Sequence, residues 1–400
     1  MSDILNIGIF GRRNTGKSSL INMILGQDVS IVSDVAGTTT DPVKKLMELP
    51  GVGRALFIDT AGVDDFGLLG KARVKRTKEL ASMVDLAILI YTGNRFESYE
   101  EEWIKRFKEE QTPTILIHNQ SDIIALDNEA AASLEERYGI EVIEFSCSLL
   151  DEKEQQEVLS TLLNSIKSSL ERDKGEPKTL FHNLVKENDS VVLVCPIDEQ
   201  APKGRLILPQ VNAIRDILDK GGVASVLQPE QLEPFLKNSP NNPSLVVTDS
   251  QIFDKVNAAI PPTVPLTSFS ILLARAKGGF KYYLQGTPFI DTLKEGDSVL
   301  ILESCSHHAA CDDIGRVKIP ALLKRHVGGE VLWDIVAGVD PLPQNLTKYK
   351  LAIQCGACMI TNRQLLARLR RLERSGIPIT NYGMAISWCM GIYERGVELF

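Results

Sequence analysis

No apolar run in this 400-residue sequence approaches the ~18 residues that span a bilayer, so no membrane-spanning helix is expected. The opening segment, MSDILNIGIF, lacks the basic region and small-residue cleavage site of a secretory signal, which leads us to expect a soluble, cytoplasmic chain. Basic residues are not in excess. With 44 Lys and Arg against 52 Asp and Glu, the net charge of −8 disfavours a nucleic-acid coat as the main function, although it leaves room for a local basic patch. We discern no internal repeat and no low-complexity tract. What is present is a globular balance, 44% apolar and 24% charged, at a length that suggests two or three domains. The cysteines are few and odd in number: Cys147, Cys195, Cys305, Cys311, Cys355, Cys358 and Cys389. Four of them crowd between 305 and 358, which in a reducing compartment points to metal or redox chemistry rather than disulfides.

Strand-like runs alternate with helical patterns along most of the chain, the signature of parallel α/β layers. Runs over 4–10, 54–58, 86–91, 114–118 and 141–145 make one nucleotide-binding-sized unit, assigned to 1–172. A polar helical stretch over 151–177 closes it at Gly175 and Pro177. A smaller α/β pattern (191–195, 210–220, 224–227, 245–248) gives a middle domain over 178–262, bounded by the prolines at 261, 262 and 265. The remainder, 263–400, has strands at 298–302 and 350–353 and an amphipathic helix over 359–374 with Leu365, Leu366, Leu369 and Leu372 on one face. The expected fold class is α/β: an N-terminal P-loop domain followed by two smaller α/β domains with mostly parallel sheets.

The P-loop rests on Gly11-Arg-Arg-Asn14-Thr15-Gly16-Lys17-Ser18, a complete GxxxxGK[ST] between a strand and a helix that begins with Ser18 and Ser19. Its glycines let backbone N–H groups wrap phosphates, Lys17 brings a cation to the β/γ oxygens, and Ser18 ligates Mg²⁺. Asp59-Thr-Ala-Gly62 follows a strand, so that Asp59 can hold Mg²⁺ through water and the Gly62 amide can sense a γ-phosphate. Thr39, in Gly37-Thr38-Thr39-Thr40, lies where a γ-phosphate-sensing loop with a Mg²⁺ ligand belongs. Asn119-Gln120-Ser121-Asp122 selects the base: a carboxylate at Asp122 accepts both guanine N1–H and N2–H, a donor pair adenine lacks. Ser146 and Cys147 follow the last strand and can cap the guanine carbonyl. GTP or GDP with Mg²⁺ is therefore expected, with Lys17, Thr39 and Gly62 in the hydrolytic role.

This order and spacing resembles the translation-factor-like GTPases, especially the branch of Era, Der and MnmE. Val63 replaces the glutamine that orients water in Ras-like enzymes, implying slow unaided hydrolysis. In this branch an Asn matching Asn14 accompanies K⁺ coordination, so the resemblance implies K⁺ activation; the alternative is that Asn14 only stabilises the loop. Gln120 stands where the pattern has a Lys packed along the base.

The cysteines form a second constellation. The strand 298–302 runs into Cys305-Ser306-His307, and 350–353 into Gln354-Cys355-Gly-Ala-Cys358, so both groups should fall at the carboxyl ends of strands, where open parallel sheets collect ligands. Soft thiolates there select Zn²⁺ or an Fe–S centre. Cys311 reads as free, and Cys147, Cys195 and Cys389 as small buried residues. His118 reads as packed, and His308 as a substitute for His307. Arg363, Arg368, Arg370, Arg371 and Arg374 read as a solvated basic face or a dock for an anion.

A GTPase domain, a middle α/β domain and this Cys-x-His, Cys-x-x-Cys arrangement resembles the HydF family of [FeFe]-hydrogenase maturation GTPases over nearly the whole chain. The resemblance implies a [4Fe–4S] cluster on Cys305, Cys355 and Cys358, with His307 nearby, and a homodimer formed through the middle domain. It also implies a scaffold or carrier passing a two-iron precursor to apo-[FeFe]-hydrogenase alongside radical-SAM maturases. Gln354 departs from the family's His before the Cys-x-x-Cys, leaving the fourth ligand open. The rival reading is a ribosome-assembly or RNA-modification GTPase with a structural zinc domain.

Overall fold

The computed structural model describes residues 4–25, 31–35, 43–60, 77, 80–81, 83–148, 152–173, 179–197, 204, 206–304, 314–338, 340–357 and 359–400. The chain divides into two compact units, Met1–Glu176 and Pro177–Phe400. Among the described residues no helix is long and apolar enough to cross a membrane.

The first unit runs β1 (Leu5–Gly11), α1 (Lys17–Leu25), β2 (Ile31–Val35), β3 (Val43–Leu49), β4 (Gly53–Asp59), β5 (Leu86–Thr92), α2 (Ser98–Glu109), β6 (Thr114–Asn119), α3 (Asn128–Tyr138), β7 (Val142–Glu144) and α4 (Glu152–Asp173). Its seven-stranded sheet has the order β2-β3-β4-β1-β5-β6-β7, with β2 and β3 antiparallel to their neighbours and the rest parallel. The central strands are continuous apolar runs because both faces are covered. Leu86, Ile88 and Ile90 of β5 turn to one core with α1 and α4, while Ala87, Leu89 and Tyr91 turn to the other with α2 and α3. That alternation is the two-residue strand period. Gly8 in β1 is forced by packing, since a Cβ there would lie 2.6 Å from the ring of buried Phe10. β2 and β3 were not legible as apolar strands: β3 reads VKKLMEL, polar at several positions.

The second unit runs β8 (Ser190–Val194), α5 (Leu208–Asp219), β9 (Val223–Leu227), α6 (Leu232–Asn238), β10 (Leu245–Thr248), α7 (Phe253–Ala259), β11 (Leu266–Ser268), α8 (Phe269–Ala276), α9 (Phe280–Gly286), β12 (Ser298–Leu302), α10 (Ile319–Val327), β13 (Leu332–Val336), β14 (Tyr349–Gln354), α11 (Asn362–Arg374), β15 (Ile379–Asn381), α12 (Tyr382–Cys389) and α13 (Tyr393–Val397). It holds two all-parallel four-stranded sheets, β11-β10-β8-β9 and β13-β12-β14-β15.

The two sheets have the same topology, a likeness of fold within a sequence that reads as free of internal repeats. In each, the first strand is central, the second lies outside it, and the third and fourth follow on the other side. The likeness extends to detail. β11 runs directly into an eight-residue helix capped by Ser268, whose side chain accepts from Ile271 N, and β15 into one capped by Asn381, which accepts from Met384 N. The repeat is one of hydrogen-bonded order and caps, carried by different side chains, so self-comparison of the sequence does not reveal it. β11 also lies beyond the expected boundary at 262/263 and pairs with β10 at Val246 and Leu266, completing the middle sheet. Three-residue strands such as β11 and β15 are too short for an apolar run to announce them, and β13 is an edge strand with Leu332 and Trp333 exposed.

In both sheets the order reverses beside the first strand, between β8 and β10 and between β12 and β14. Such a switch point opens a crevice at the carboxyl ends of the strands. α11 covers one face of the second sheet with Leu365, Leu369 and Leu372 buried, each burial stabilising by about 1.5–3 kcal/mol. Its start is fixed by a capping box in which Thr361 accepts from Gln364 N and Gln364 Oε1 accepts from Thr361 N.

Candidate functional site

The phosphate loop is assembled by its own backbone. Gly11, at φ +150°, ends β1 where a Cβ would lie 2.4 Å from Ile90 O, and Gly16, at φ +88°, approaches Asn119 so closely that a Cβ would meet Nδ2 at 2.2 Å. Asn14 adopts the left-handed conformation at φ 63°. Thr15 Oγ1 donates to Arg12 O at 2.9 Å, closing the turn. The largely buried Lys17 ammonium lies inside the loop, donating to Gly11 O at 3.0 Å and Arg12 O at 2.5 Å. Ser18 Oγ donates to Asp59 Oδ2 at 2.7 Å, bringing together the hydroxyl and carboxylate expected around Mg²⁺. Ser19 follows on the exposed side of α1. Thr39, Gly62 and Val63 lie outside the described residues.

The base-reading loop is tied to the phosphate loop. Asn119 is buried, donates Nδ2–H to Thr15 O at 2.8 Å, and keeps a buried Oδ1 with no partner. That orphaned acceptor beside the loop fits a nucleotide. Asp122 is exposed and accepts from Ser146 Oγ, so Ser146 orients the carboxylate. Cys147 borders Asn119, and burial pushes its thiol up to about 11. It therefore remains protonated and unreactive at neutral pH. His118 is buried as expected; Nε2 accepts from Asn94 N at 3.2 Å, and burial lowers its pKa, so it stays neutral.

Gln120 departs from the usual lysine but is not idle: Nε2 donates to Asn14 O at 3.3 Å. A lysine there keeps a donor for that carbonyl and adds an aliphatic stem for the guanine face. Gln120→Lys is expected to tighten GDP binding about fourfold, from about 0.8 kcal/mol for one further buried methylene. Calorimetry that gave an unchanged or weaker dissociation constant would refute this.

One element escaped the sequence reading. Arg12, in the variable part of the phosphate loop, makes a two-pronged contact with fully buried Glu100, Nε to Oε1 at 2.8 Å and Nη2 to Oε2 at 3.0 Å, and a further bond to Glu97. Glu100 also accepts from Glu97 N at the start of α2. The pair anchors the loop to α2, and removing either partner would strand a buried charge.

In the second unit, Leu302 of β12 sits opposite Gln354 of β14, so 303–304 and 355–357 leave the sheet at the same edge, at the switch point. Cys355 Sγ there accepts three N–H groups: Ser304 N at 3.1 Å, Ala357 N at 3.4 Å and Gln354 Nε2 at 3.4 Å. Ala357 takes the left-handed conformation, φ 55°, needed to turn its amide inward. Three N–H donors converging on one sulfur fit the surroundings of an iron- or zinc-bound thiolate. Gln354 is fully buried; besides the sulfur, Nε2 approaches Leu302 O and Ser304 Oγ, while Oε1 has no partner. It braces the edge rather than standing free in place of a ligand. Cys305, His307, Cys311, His308 and Cys358 lie outside the described residues, and among the described ones no three His, Cys, Asp or Glu side chains gather as a metal set. Cys195 is buried with its thiol pushed up to about 12, and half-buried Cys389 to about 11. Cys195 matches the expectation of a small buried residue, whereas Cys147 and Cys389 are only half-buried.

Comparison with known proteins agrees with this division. Residues 6–120 match a family model described as 50S ribosome-binding GTPase, residues 180–278 the hydrogen maturase F dimerization domain, and residues 281–399 the hydrogen maturase F tetramerization domain. The chain is 45% identical to GTPase Der of Wolinella succinogenes over 89 residues, 22% of this chain and 19% of that protein. It is 29% identical to tRNA modification GTPase MnmE of Clostridioides difficile over 187 residues, 46% of this chain and 36% of that protein. It therefore spans only a fifth to about a third of the length of these relatives. A crystal structure of Era from Aquifex aeolicus bound to GDP·AlF4⁻ aligns over 56% of this chain and 93% of that one, at 19% identity and a TM-score of 0.33, too low to bear on the argument. With a GTPase domain of the Era, Der and MnmE branch followed by both maturase modules, the chain belongs to the hydrogen maturase F (HydF) family.

Proposed function

We propose that this protein is a GTP-hydrolysing scaffold or carrier that binds a [4Fe–4S] cluster and delivers a two-iron precursor to apo-[FeFe]-hydrogenase. The observation that carries the cluster part is the Cys355 sulfur, held by three N–H groups at a sheet switch point in the unit that matches the maturase modules. In this reading Cys305, Cys355 and Cys358 would hold the cluster through three thiolates, and His307 would be the candidate for the remaining, exchangeable position. When bound, the cluster supplies an iron-based docking point. Of the chain's own residues, Ser304, Gln354 and Ala357 fix the Cys355 sulfur. In the first unit Lys17 places its charge on the β/γ phosphates, Ser18 and Asp59 hold Mg²⁺, Asp122 reads guanine, and Thr39 and Gly62 sense the γ-phosphate. The dimerization and tetramerization modules support self-association, read here as a homodimer through the middle domain; apo-hydrogenase and radical-SAM maturases are the further partners of this reading.

Anaerobic reconstitution with metal analysis tests the proposal. We expect four irons with sulfide and a broad visible absorption, and activation of apo-hydrogenase by the loaded protein. One colourless Zn²⁺ per chain would instead favour a ribosome-assembly or RNA-modification GTPase, the reading the Der and MnmE likeness of the first unit supports.

Asn14, at the turn of the phosphate loop, is where the branch coordinates K⁺. GTP turnover is expected to be slow and severalfold faster in K⁺ than in Na⁺. Equal rates at matched ionic strength would reduce Asn14 to a loop stabiliser.

A further inference from the structure

Five arginines lie on α11, and the structure separates them. Arg371 and Arg374 are exposed, while Arg363 and Arg370 are half-buried, with Arg370 Nε donating to Leu366 O in its own helix. Arg368 differs. As a residue it is half-buried too, three residues from Leu365 and four from Leu372 of the buried stripe, but its guanidinium is turned inward. One prong, Nη2, donates to Gly338 O at 2.8 Å. Gly338 lies two residues beyond the end of β13, whose Val336 faces Leu302 of β12, which in turn faces Gln354, the residue before Cys355. The guanidinium therefore reaches the same strand-end edge as the cysteine site.

The other prong has nothing to bind. Arg368 Nη1 is shielded from solvent and has no hydrogen-bond partner, and Gln354 Oε1 at the same edge is in the same state. A buried charged donor left unused is costly, so its position implies an anion that completes it. The charged and titratable groups acting on Arg368 are Cys355, Asp340 and Tyr283. Burial lowers the Arg368 pKa and Cys355 draws it back up, leaving the side chain a cation at any physiological pH.

We propose that Arg368 is the positioning and charge-compensating residue of the cluster site, one prong fixing the edge at Gly338 and the other directed to the anionic iron–sulfur centre on Cys355. The inference rests on the cluster reading above and goes beyond it by naming what sets the centre's electronic properties. A fixed cation beside an iron–sulfur centre favours its reduced, more negative form and so raises its potential, in the same way as N–H groups on the sulfurs.

The test uses the full chain, reconstituted anaerobically, as wild type, Arg368→Gln and Arg368→Lys. Iron and sulfide are counted, far-ultraviolet circular dichroism checks the fold, and redox titration followed by electron paramagnetic resonance gives the midpoint potential. The glutamine variant keeps a donor for Gly338 but loses the charge, whereas lysine keeps the charge without the fork. We expect Arg368→Gln to hold iron with a potential shifted to more negative values, and Arg368→Lys to lie between it and wild type. If the glutamine variant cannot hold iron, retention in the lysine variant alone supports the proposal equally. Full iron in Arg368→Gln at an unchanged potential overturns it, as does equal loss of iron from both variants with the fold intact, because the fork would then be purely structural. Wild type without iron would instead defeat the cluster reading itself, so the two failures are distinguishable.

Discussion

Lys17→Ala is expected to lower GTP turnover by roughly 100- to 1,000-fold, the size of effect seen when one preorganised donor to developing charge is removed. The effect is large because the ammonium is already in place: it is largely buried and held between Gly11 O and Arg12 O, inside the loop the phosphates would enter. Arg12, the other cation tied into the loop's turn, is committed to Glu100 and Glu97. The variant should also bind GDP more weakly, while the second compact unit keeps its fold and its metal content. Steady-state phosphate release at saturating GTP and matched Mg²⁺ gives the answer. Turnover within fivefold of wild type would mean that the ammonium acts on the loop and not on the phosphates.

Cys355→Ala is expected to lose most of the bound iron. Beyond the missing thiolate, three N–H groups, from Ser304, Ala357 and Gln354, lose their common acceptor at a buried edge, so the pocket that shapes the site is disturbed together with the ligand. Cys355→Ser separates these effects, because a hydroxyl still accepts hydrogen bonds but is a harder ligand than a thiolate. It should keep the fold more nearly intact and still hold little iron. Cys305→Ala and Cys358→Ala should behave like Cys355→Ala, whereas His307→Ala should keep four irons with an altered paramagnetic signal. Iron and sulfide assays on anaerobically reconstituted protein decide. A Cys355→Ala protein with a full complement of iron would remove this cysteine from the ligand set and leave its three N–H groups without a function.

Contiguous chemistry was legible in the sequence. Gly11 to Ser18 encode the phosphate loop within eight residues, and Asp59, Asn119, Asp122 and Ser146 each follow an apolar strand that predicts where the sheet will deliver them. The same logic predicted that the segments bearing Cys305 and Cys355 would leave adjacent parallel strands at one edge, which the pairing of Leu302 with Gln354 bears out for the strands. Strand-to-edge inference works because parallel strands all point the same way, so position in sequence after a strand becomes position in space.

Only the tertiary structure decided what depends on partners far along the chain. Arg12 and Glu100 are 88 residues apart, and neither has a local signal that it will be paired. The five arginines of α11 look alike in sequence, and which of them turns inward is set by the phase at which Leu365, Leu369 and Leu372 seat the helix on the sheet. Gln354 reads as a missing ligand until the fold surrounds it with Leu302 O, Ser304 Oγ and the Cys355 sulfur, making it a brace. The repeated topology of the two small sheets was likewise invisible, because strand order is written in hydrogen bonds between segments while the sequence records only the segments. Short-range pattern thus determined the nucleotide chemistry and the strands that carry the cysteines, whereas long-range packing decided which charges are buried and what each one holds.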